Sequence, residues 1–171
     1  MTTELRQAEE RDHSRIVAAI ESWWTDSRSP AAARELSLLV PRLFLQHFSG
    51  TSFVAEQDGR MAGFLVGFLS FDRPQDAYIH FVGVDPALRG RGLARQLYTA
   101  FFDTASRAGR SRVHCITSPA NSGSIGFHRR MGFQLVSGDA EIDGVPVHQN
   151  YDGRGHDRVC FVRDISPLPA R

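Results

Sequence analysis

The chain contains no lysine: all twenty of its basic residues are arginine. That excludes a Schiff-base lysine, a lysine general base and the lysine-dependent phosphate loop. Cysteine is scarce too, with two in 171 residues. Cys115 and Cys160 lie in the apolar runs 113–116 and 159–162, without the C-x-x-C spacing of redox or zinc sites, and read as buried thiols. Neither sign of charge dominates. Twenty basic against nineteen acidic side chains leave +1, so no global field favours a polyanion, and no nucleic-acid partner is expected. Long hydrophobic runs are missing; the stretch 61–69 falls far short of the ~20 residues that span a bilayer. Residues 1–15 are polar and charged, unlike a signal peptide. A cytoplasmic protein without a membrane partner is expected.

What is present suits a globular domain: 42 % hydrophobic and 23 % charged residues. The length fits one domain over 1–171, with 166–171 a frayed tail. Patterning predicts a strand at 3–7, then a helix opened by Asp12 or Ser14 with Ile16, Val17, Ile20 and Trp23/Trp24 at helical spacing. After a loop at 25–30, a second helix is expected over 31–47, with Leu36, Leu39, Leu43 and Phe44 on one face and Pro41 kinking or splitting it. Strands follow at 53–56, 61–71 and 77–84, the first two joined at Asp58-Gly59. An amphipathic helix over 92–108 carries Leu93, Leu97, Ala100/Phe101 and Ala105 on one face. A strand at 112–117, a short helix at 122–131 closed by Gly132, and strands at 133–137 and 159–164 complete the order. Residues 138–158 read as a polar stretch. The element order gives an α/β class with mixed α+β layers around one sheet.

The segment with chemical content is Val84-Asp85-Pro86-Ala87-Leu88-Arg89-Gly90-Arg91-Gly92-Leu93-Ala94. A strand ends, a Gly/Arg loop follows and a helix starts at once. The first N–H groups of a helix lack internal partners and lie at the positive end of its dipole. With small residues there, a phosphate can approach them closely, and Arg89, Arg91 and Arg95 add positive charge. This is a diphosphate cradle. The G-x-G-x-x-G dinucleotide pattern fails at Arg95, and a G-x-S-x-G elbow is absent.

Arg89-Gly90-Arg91-Gly92-Leu93-Ala94 matches R/Q-x-x-G-x-G/A and, with the preceding V-x-P, resembles the acetyl-CoA signature of the GNAT acyltransferase superfamily. Asn121-Ser122-Gly123-Ser124-Ile125-Gly126-Phe127-His128-Arg129-Arg130-Met131-Gly132-Phe133 is similar to the family's later N-x-x-A-x-x-x-Y-x-x-x-G-F pattern. The resemblance covers roughly residues 3–165.

It implies a GNAT-like fold, a single central, mostly antiparallel mixed sheet with helices on both faces, and an acetyl-CoA-dependent N-acetyltransferase, with acetyl-CoA as cosubstrate and an amine as acceptor; the spacing of His and Asp residues matches no metal site, and no metal is expected. Homodimers are common in the family, so a homodimer is one expected assembly. Val82, Gly83 and Val84 would offer backbone groups to the pantetheine and thioester, Arg89, Gly90, Arg91, Gly92, Leu93 and Ala94 would hold the pyrophosphate, and Asn121 would contact the pantetheine arm. His128 stands where the family usually has tyrosine, the acid for the leaving thiolate; a surface helix histidine is the other reading. Strand alternation puts Tyr78, His80, Val82 and Val84 on one face, and His80 is the candidate base, or a satisfied strand histidine. Acceptor contacts would come from Trp24 in the segment 23–26, from Tyr78, and from Tyr151 and Asp152 in the segment 148–157. The substitution at His128 also keeps open a non-catalytic acyl-CoA-binding sensor.

Overall fold

Asp58-Gly59 reverses the chain between two strands, with Asp58 at φ 52° and Gly59 at φ 75°. Glycine takes this left-handed region without a Cβ penalty and aspartate tolerates it, so a two-residue turn forms here. The computed structural model describes residues 3–25 and 27–166. Asp26 and residues 167–171, most of the expected tail, lie outside the described residues. Contacts group the chain into two compact units, Met1–Leu69 with Ile79–Ala105, and Ser70–Tyr78 with Ser106–Arg171.

In the first unit, β1 (Thr3–Gln7) pairs antiparallel with β2 (Phe53–Gln57), and β2 with β3 (Arg60–Leu69). β3 neighbours β4 (Asp76–Val84), whose later part belongs here, and the Asp85 N–H donates to the Ala62 carbonyl at 2.9 Å. Between β1 and β2 run α1 (His13–Trp23), α2 (Pro30–Ser37) and α3 (Leu43–His47). The expected helix over 31–47 is therefore split at Pro41, which has no N–H to continue it. The split turns Leu39 and Leu43 outward, 50 % and 47 % exposed, so the expected four-residue face holds only for Leu36 and Phe44. The helix α4 (Leu93–Arg107) follows β4.

β3 is apolar along its length because both faces are covered. Phe64 and Val66 join Ile16, Ala19, Ile20, Val40 and Leu45 in one cluster. Gly63 faces the other way: a Cβ there would meet Leu93 and Leu97 of α4. Each large side chain buried in such a cluster stabilises by ~1.5–3 kcal/mol. The entry to α1 is fixed by charge instead. Asp12, 1 % exposed, accepts from both terminal nitrogens of Arg6 at 2.7 and 2.8 Å and from the Glu9 N–H at 2.8 Å. Glu56 accepts from Arg6 and, at 2.5 Å, from Arg15.

In the second unit, β4 and β5 (Arg112–Thr117) pair in parallel, and β5 pairs antiparallel with β9 (Val159–Asp164). The strand expected at 133–137 shortens to β6 (Gln134–Leu135), at the far side of β9. The stretch 138–158 contains a hairpin not expected from its polarity, β7 (Ala140–Ile142) and β8 (Val145–Val147), turned at Asp143-Gly144. The helix α5 (Ser122–Arg130) is capped by Asn121, which accepts from the Ser124 N–H, and closed by Gly132 at φ 83°. Among the described residues, no helix is long and apolar enough to cross a membrane.

Candidate active site

The cradle lies in the first unit. Asp85 caps a short 3-10 turn, Pro86–Leu88, by accepting from the Ala87 N–H at 2.9 Å. Gly90 and Gly92 then take φ 77° and 81°, and a Cβ at either would meet nothing within 4 Å. Their role is thus conformational and one of access, not of packing. The first bond of the α4 ladder runs from the Gln96 N–H to the Gly92 carbonyl, so the N–H groups of Leu93, Ala94 and Arg95 precede it. Arg89 Nε reaches the Val84 carbonyl at 3.4 Å. None of Arg89, Arg91 and Arg95 has an ion pair among the described residues. Three uncompensated cations at the positive end of a helix suit a polyanion.

Along β4, alternation breaks at His80. The His80 ring stacks on Phe44, centroids 4.3 Å apart, while the next residue, Phe81, stacks on Phe64 and meets Trp24 edge-on. Phe44, Phe81 and Trp24 all pack against the same core cluster. A Cβ on Gly83 would enter that cluster, against Phe64 and Trp24. Consecutive residues 80 and 81 therefore lean to one layer, and the expected shared face of His80 with Val82 and Val84 does not form. Its Nε2 meets the Leu39 carbonyl at 2.5 Å. A carbonyl only accepts, so the neutral ring carries its proton on Nε2 and leaves Nδ1 as the basic nitrogen. Trp24, at the C-cap of α1, is half-buried.

The other predicted residues lie in the second unit. His128 is not the surface histidine that one reading expected: it is 5 % exposed, stacked on Phe161 at 4.7 Å and edge-on to Phe127 and Phe133. Its Nδ1 lies 2.8 Å from the Ser124 carbonyl and 3.2 Å from Ser124 Oγ. Burial lowers its pKa, and the Ser124 carbonyl opposes this only in part. The proton of the neutral ring thus sits on Nδ1, and Nε2 is an acceptor. This geometry works against an acid at His128.

α5 covers the sheet face that shows Cys115 and Phe161, a register pair. The opposite face shows Asp76, Tyr78, Arg112, His114 and Cys160, by the same registers. Tyr151 comes from the loop after β8 and donates to the Cys160 thiol. Burial raises the pKa of Tyr78, Tyr151 and both thiols, so the phenols stay neutral and neither cysteine is a ready thiolate nucleophile. His114 and Cys115 face opposite sides, as strand neighbours do. Asp152 does not offer a free carboxylate to a cationic acceptor as expected: its Oδ2 accepts from Arg158 Nε at 2.6 Å. The loop itself is ordered by its own bonds, Asn150 N–H to Asp157 and Gly155 N–H to Asn150, both 2.8 Å. Among the described residues, no group of three or more His, Cys, Asp and Glu gathers as metal ligands would.

The pairing of Asp76 with His114 and Arg112 was missed from sequence. Its one local signal is Asp76-x-Tyr78 and Arg112-x-His114, polar residues at strand spacing, but which strands adjoin is not written locally.

The model of the acetyltransferase (GNAT) family matches residues 9–133. The L-2,4-diaminobutyric acid acetyltransferase of Nocardia farcinica is 36 % identical over 98 residues, covering 55 % of this chain and 51 % of the relative. The N-alpha-acetyltransferase RimI of Mycobacterium tuberculosis is 35 % identical over 82 residues, covering 45 % of this chain and 50 % of the relative. The chain thus spans about half the length of these two curated relatives. The solved diaminobutyrate acetyltransferase EctA of Paenibacillus lautus, in complex with L-2,4-diaminobutyric acid and coenzyme A, aligns with TM-score 0.66 at 23 % identity over 99 % of this chain and 98 % of that one. At that identity the likeness shows the fold, a mostly antiparallel mixed sheet with helices.

Proposed function

The chain belongs to the acetyltransferase (GNAT) family, and from that premise we propose that it moves an acetyl group from acetyl-CoA to a primary amine by direct transfer in a ternary complex. The observation that carries this reading is the cradle: left-handed Gly90 and Gly92, the N–H groups that precede the first ladder bond of α4, and three arginines without carboxylate partners among the described residues. Arg89, Gly90, Arg91, Gly92, Leu93 and Ala94 hold the pyrophosphate in this reading. Val82, Gly83 and Val84 offer backbone groups to the pantetheine. Asn121 already spends its side-chain oxygen on the cap of α5, so a pantetheine contact falls to its amide nitrogen.

The acetyl group needs little covalent help. Holding amine and thioester together removes much of the entropic barrier, and backbone N–H groups stabilise the developing oxyanion. Trp24, Tyr78 and Tyr151 are the proposed acceptor contacts, with Asp152 acting through Arg158. Relatives named for acetylating an amino acid and an α-amine support an amine acceptor.

The test has two parts: calorimetric titration with acetyl-CoA, then initial rates of thiol release across an amine panel that includes L-2,4-diaminobutyrate. Saturable binding with amine-dependent thiol release is expected; no binding at millimolar acetyl-CoA overturns the reading. The burial of His128 favours a second reading, an acyl-CoA-binding module without turnover. Binding with no transfer to any amine would select it.

A further inference from the structure

The first unit carries an aromatic wall against the end of β4 that neither motif touches. Gly83 is buried, and one side of the strand is closed there. A Cβ on Gly83 would lie 2.5 and 2.8 Å from Cε1 and Cζ of Phe64 and 3.2 Å from Cη2 of Trp24. Real Cβ atoms do not come that close, so space alone demands glycine at this position. Without a side chain in the way, the indole of Trp24 approaches the backbone of the strand itself.

The rings of the wall brace one another. Trp23 stacks on Phe64 with centroids 5.9 Å apart, Phe64 stacks on Phe81 at 5.9 Å, and Phe81 meets Trp24 edge-on at 5.7 Å. Aromatic pairs at these separations attract beyond the area they bury. The turn after α1 holds the last ring in place. Thr25 Oγ1 donates to the Ser22 carbonyl at 2.8 Å, and the Ser27 N–H donates to the Trp24 carbonyl at 3.2 Å. Phe64 is fully buried, whereas Trp24 is half-buried. Part of the indole is seated in the core and part is left to meet a ligand.

Its place on the strand gives the wall a task. Val82, Gly83 and Val84 hold the pantetheine and thioester in the reading above. Successive strand residues are ~3.3 Å apart, so a thioester held by any of the three lies within one residue spacing of Gly83. The ring set against Gly83 then faces the acyl group, and faces more of it as the chain lengthens.

We infer that Trp24 is a specificity-determining residue for the acyl group, admitting the two-carbon acetyl of the thioester and excluding chains of four carbons and more. The assignment rests on the transferase reading above and deepens it by naming the acyl class. Gly83 lets the ring approach the strand, and Phe81 keeps it from swinging aside. A close-packed wall resists even one added methylene, because the core behind it does not yield. A mismatch of one methylene amounts to about 10–200-fold in selectivity. The acceptor contact proposed above for Trp24 makes a different prediction: its loss would alter the amine's KM and leave the choice of acyl chain alone.

The experiment measures kcat/KM for acetyl-, propionyl-, butyryl- and hexanoyl-CoA with each of two amines in the wild type, Trp24→Ala, Trp24→Leu and Trp23→Leu, with the affinity for each acyl-CoA by calorimetry. The wild type should favour acetyl over butyryl about 100-fold. Trp24→Ala should narrow that preference at least about tenfold and Trp24→Leu about fivefold, by the same factor with both amines. Trp23→Leu removes a ring that braces Phe64 rather than one set against Gly83. It should lower Tm and leave the preference within about threefold, a contrast that mere loosening of the wall would not give. A wild type that uses butyryl-CoA as well as acetyl-CoA, an unchanged preference in Trp24→Ala, or an equal shift in Trp23→Leu overturns the assignment while the transferase reading stands. If Trp24→Ala does not fold, an unchanged preference in Trp24→Leu overturns it. A wild type that binds acetyl-CoA yet acylates no amine overturns the transferase reading, and affinity then decides the role of Trp24. Butyryl-CoA should bind at least about tenfold more weakly than acetyl-CoA in the wild type and equally well in Trp24→Ala; equal affinities in the wild type overturn it.

Discussion

Two arginine-rich regions of the first unit are built to opposite ends. Arg6 and Arg15 reach Asp12 and Glu56 at 2.5 to 3.3 Å, and every charge in that group has a partner. Arg89, Arg91 and Arg95 carry the same side chain but face no carboxylate among the described residues. The first group holds β1, β2 and the start of α1 in register. The second leaves three cations beside backbone N–H groups and two left-handed glycines, the arrangement a ligand would complete. An arginine's role here is told by its partner, not by its type.

The comparison breaks first where the charges are saturated. Asp12→Ala leaves Arg6 without its bidentate acceptor, and loss of one member of a buried ion pair costs about 3–5 kcal/mol. For a chain of this size that lowers Tm by roughly 10 °C, while acetyl-CoA affinity should hold. Calorimetric melting checks the first expectation and titration the second. The pH dependence has a definite sign. Burial works against the charge on Asp12, but Arg6, the Glu9 N–H and Arg15 outweigh it and keep its pKa below the usual value; hydrogen bonds from Arg6 and Arg15 lower Glu56. Depressed carboxylates stabilise the fold above their unfolded values near pH ~4 and lose that contribution as pH falls through the folded ones. The gap in Tm between wild type and Asp12→Ala should therefore narrow at pH 3 relative to pH 7.

At the open cradle the loss should appear in binding. Gly92→Val places a branched side chain at φ 81°, where glycine is favoured, and in the space a phosphate needs. Two lost charge-assisted hydrogen bonds of ~1.5 kcal/mol each weaken acetyl-CoA about 100-fold. The circular dichroism spectrum should be retained. Unchanged affinity in a folded Gly92→Val protein would remove the cradle from the account.

Arg91→Gln should be milder, weakening acetyl-CoA by up to about tenfold and flattening the salt dependence of binding, since one exposed cation is removed and no packing. A loss of Tm instead would mean that Arg91 belongs with the saturated group.

The smallest effect is expected at His128. His128→Phe keeps the ring against Phe161 and should leave kcat within about threefold, well short of the 10²–10⁴-fold typical of a lost acid. The folded-state pKa of His128 is lowered by burial, so its stabilising effect is complete above about pH 6.5 and declines as pH falls below that. Melting at pH 7 and pH 5 should show the variant losing less stability on acidification than the wild type.

The loop before α4 was legible in the sequence because its signals are local: glycines, arginines and a helix start fall within a few consecutive residues. His128 was legible as a position but not as an environment, for its burial depends on Phe161, which lies on β9, a strand placed by the sheet. The Asp76–His114 pair was not legible, because its members are joined only through the parallel pairing of β4 and β5. The helix break at Pro41 could be read from one residue. The β7–β8 hairpin was hidden by polar composition, although Asp143-Gly144 carries the same turn signal as Asp58-Gly59.

The central claim is coupled transfer of acetyl from CoA to an amine, and one measurement meets it directly. Wild-type protein is incubated with acetyl-CoA and the amine panel, and free CoA thiol and N-acetylated amine are quantified in the same samples over time. The account predicts equal amounts of the two, rising together with at least one primary amine and lost in Gly92→Val at the same acetyl-CoA concentration. Thiol released without acetylated amine, or neither product from a protein that binds acetyl-CoA, would contradict it.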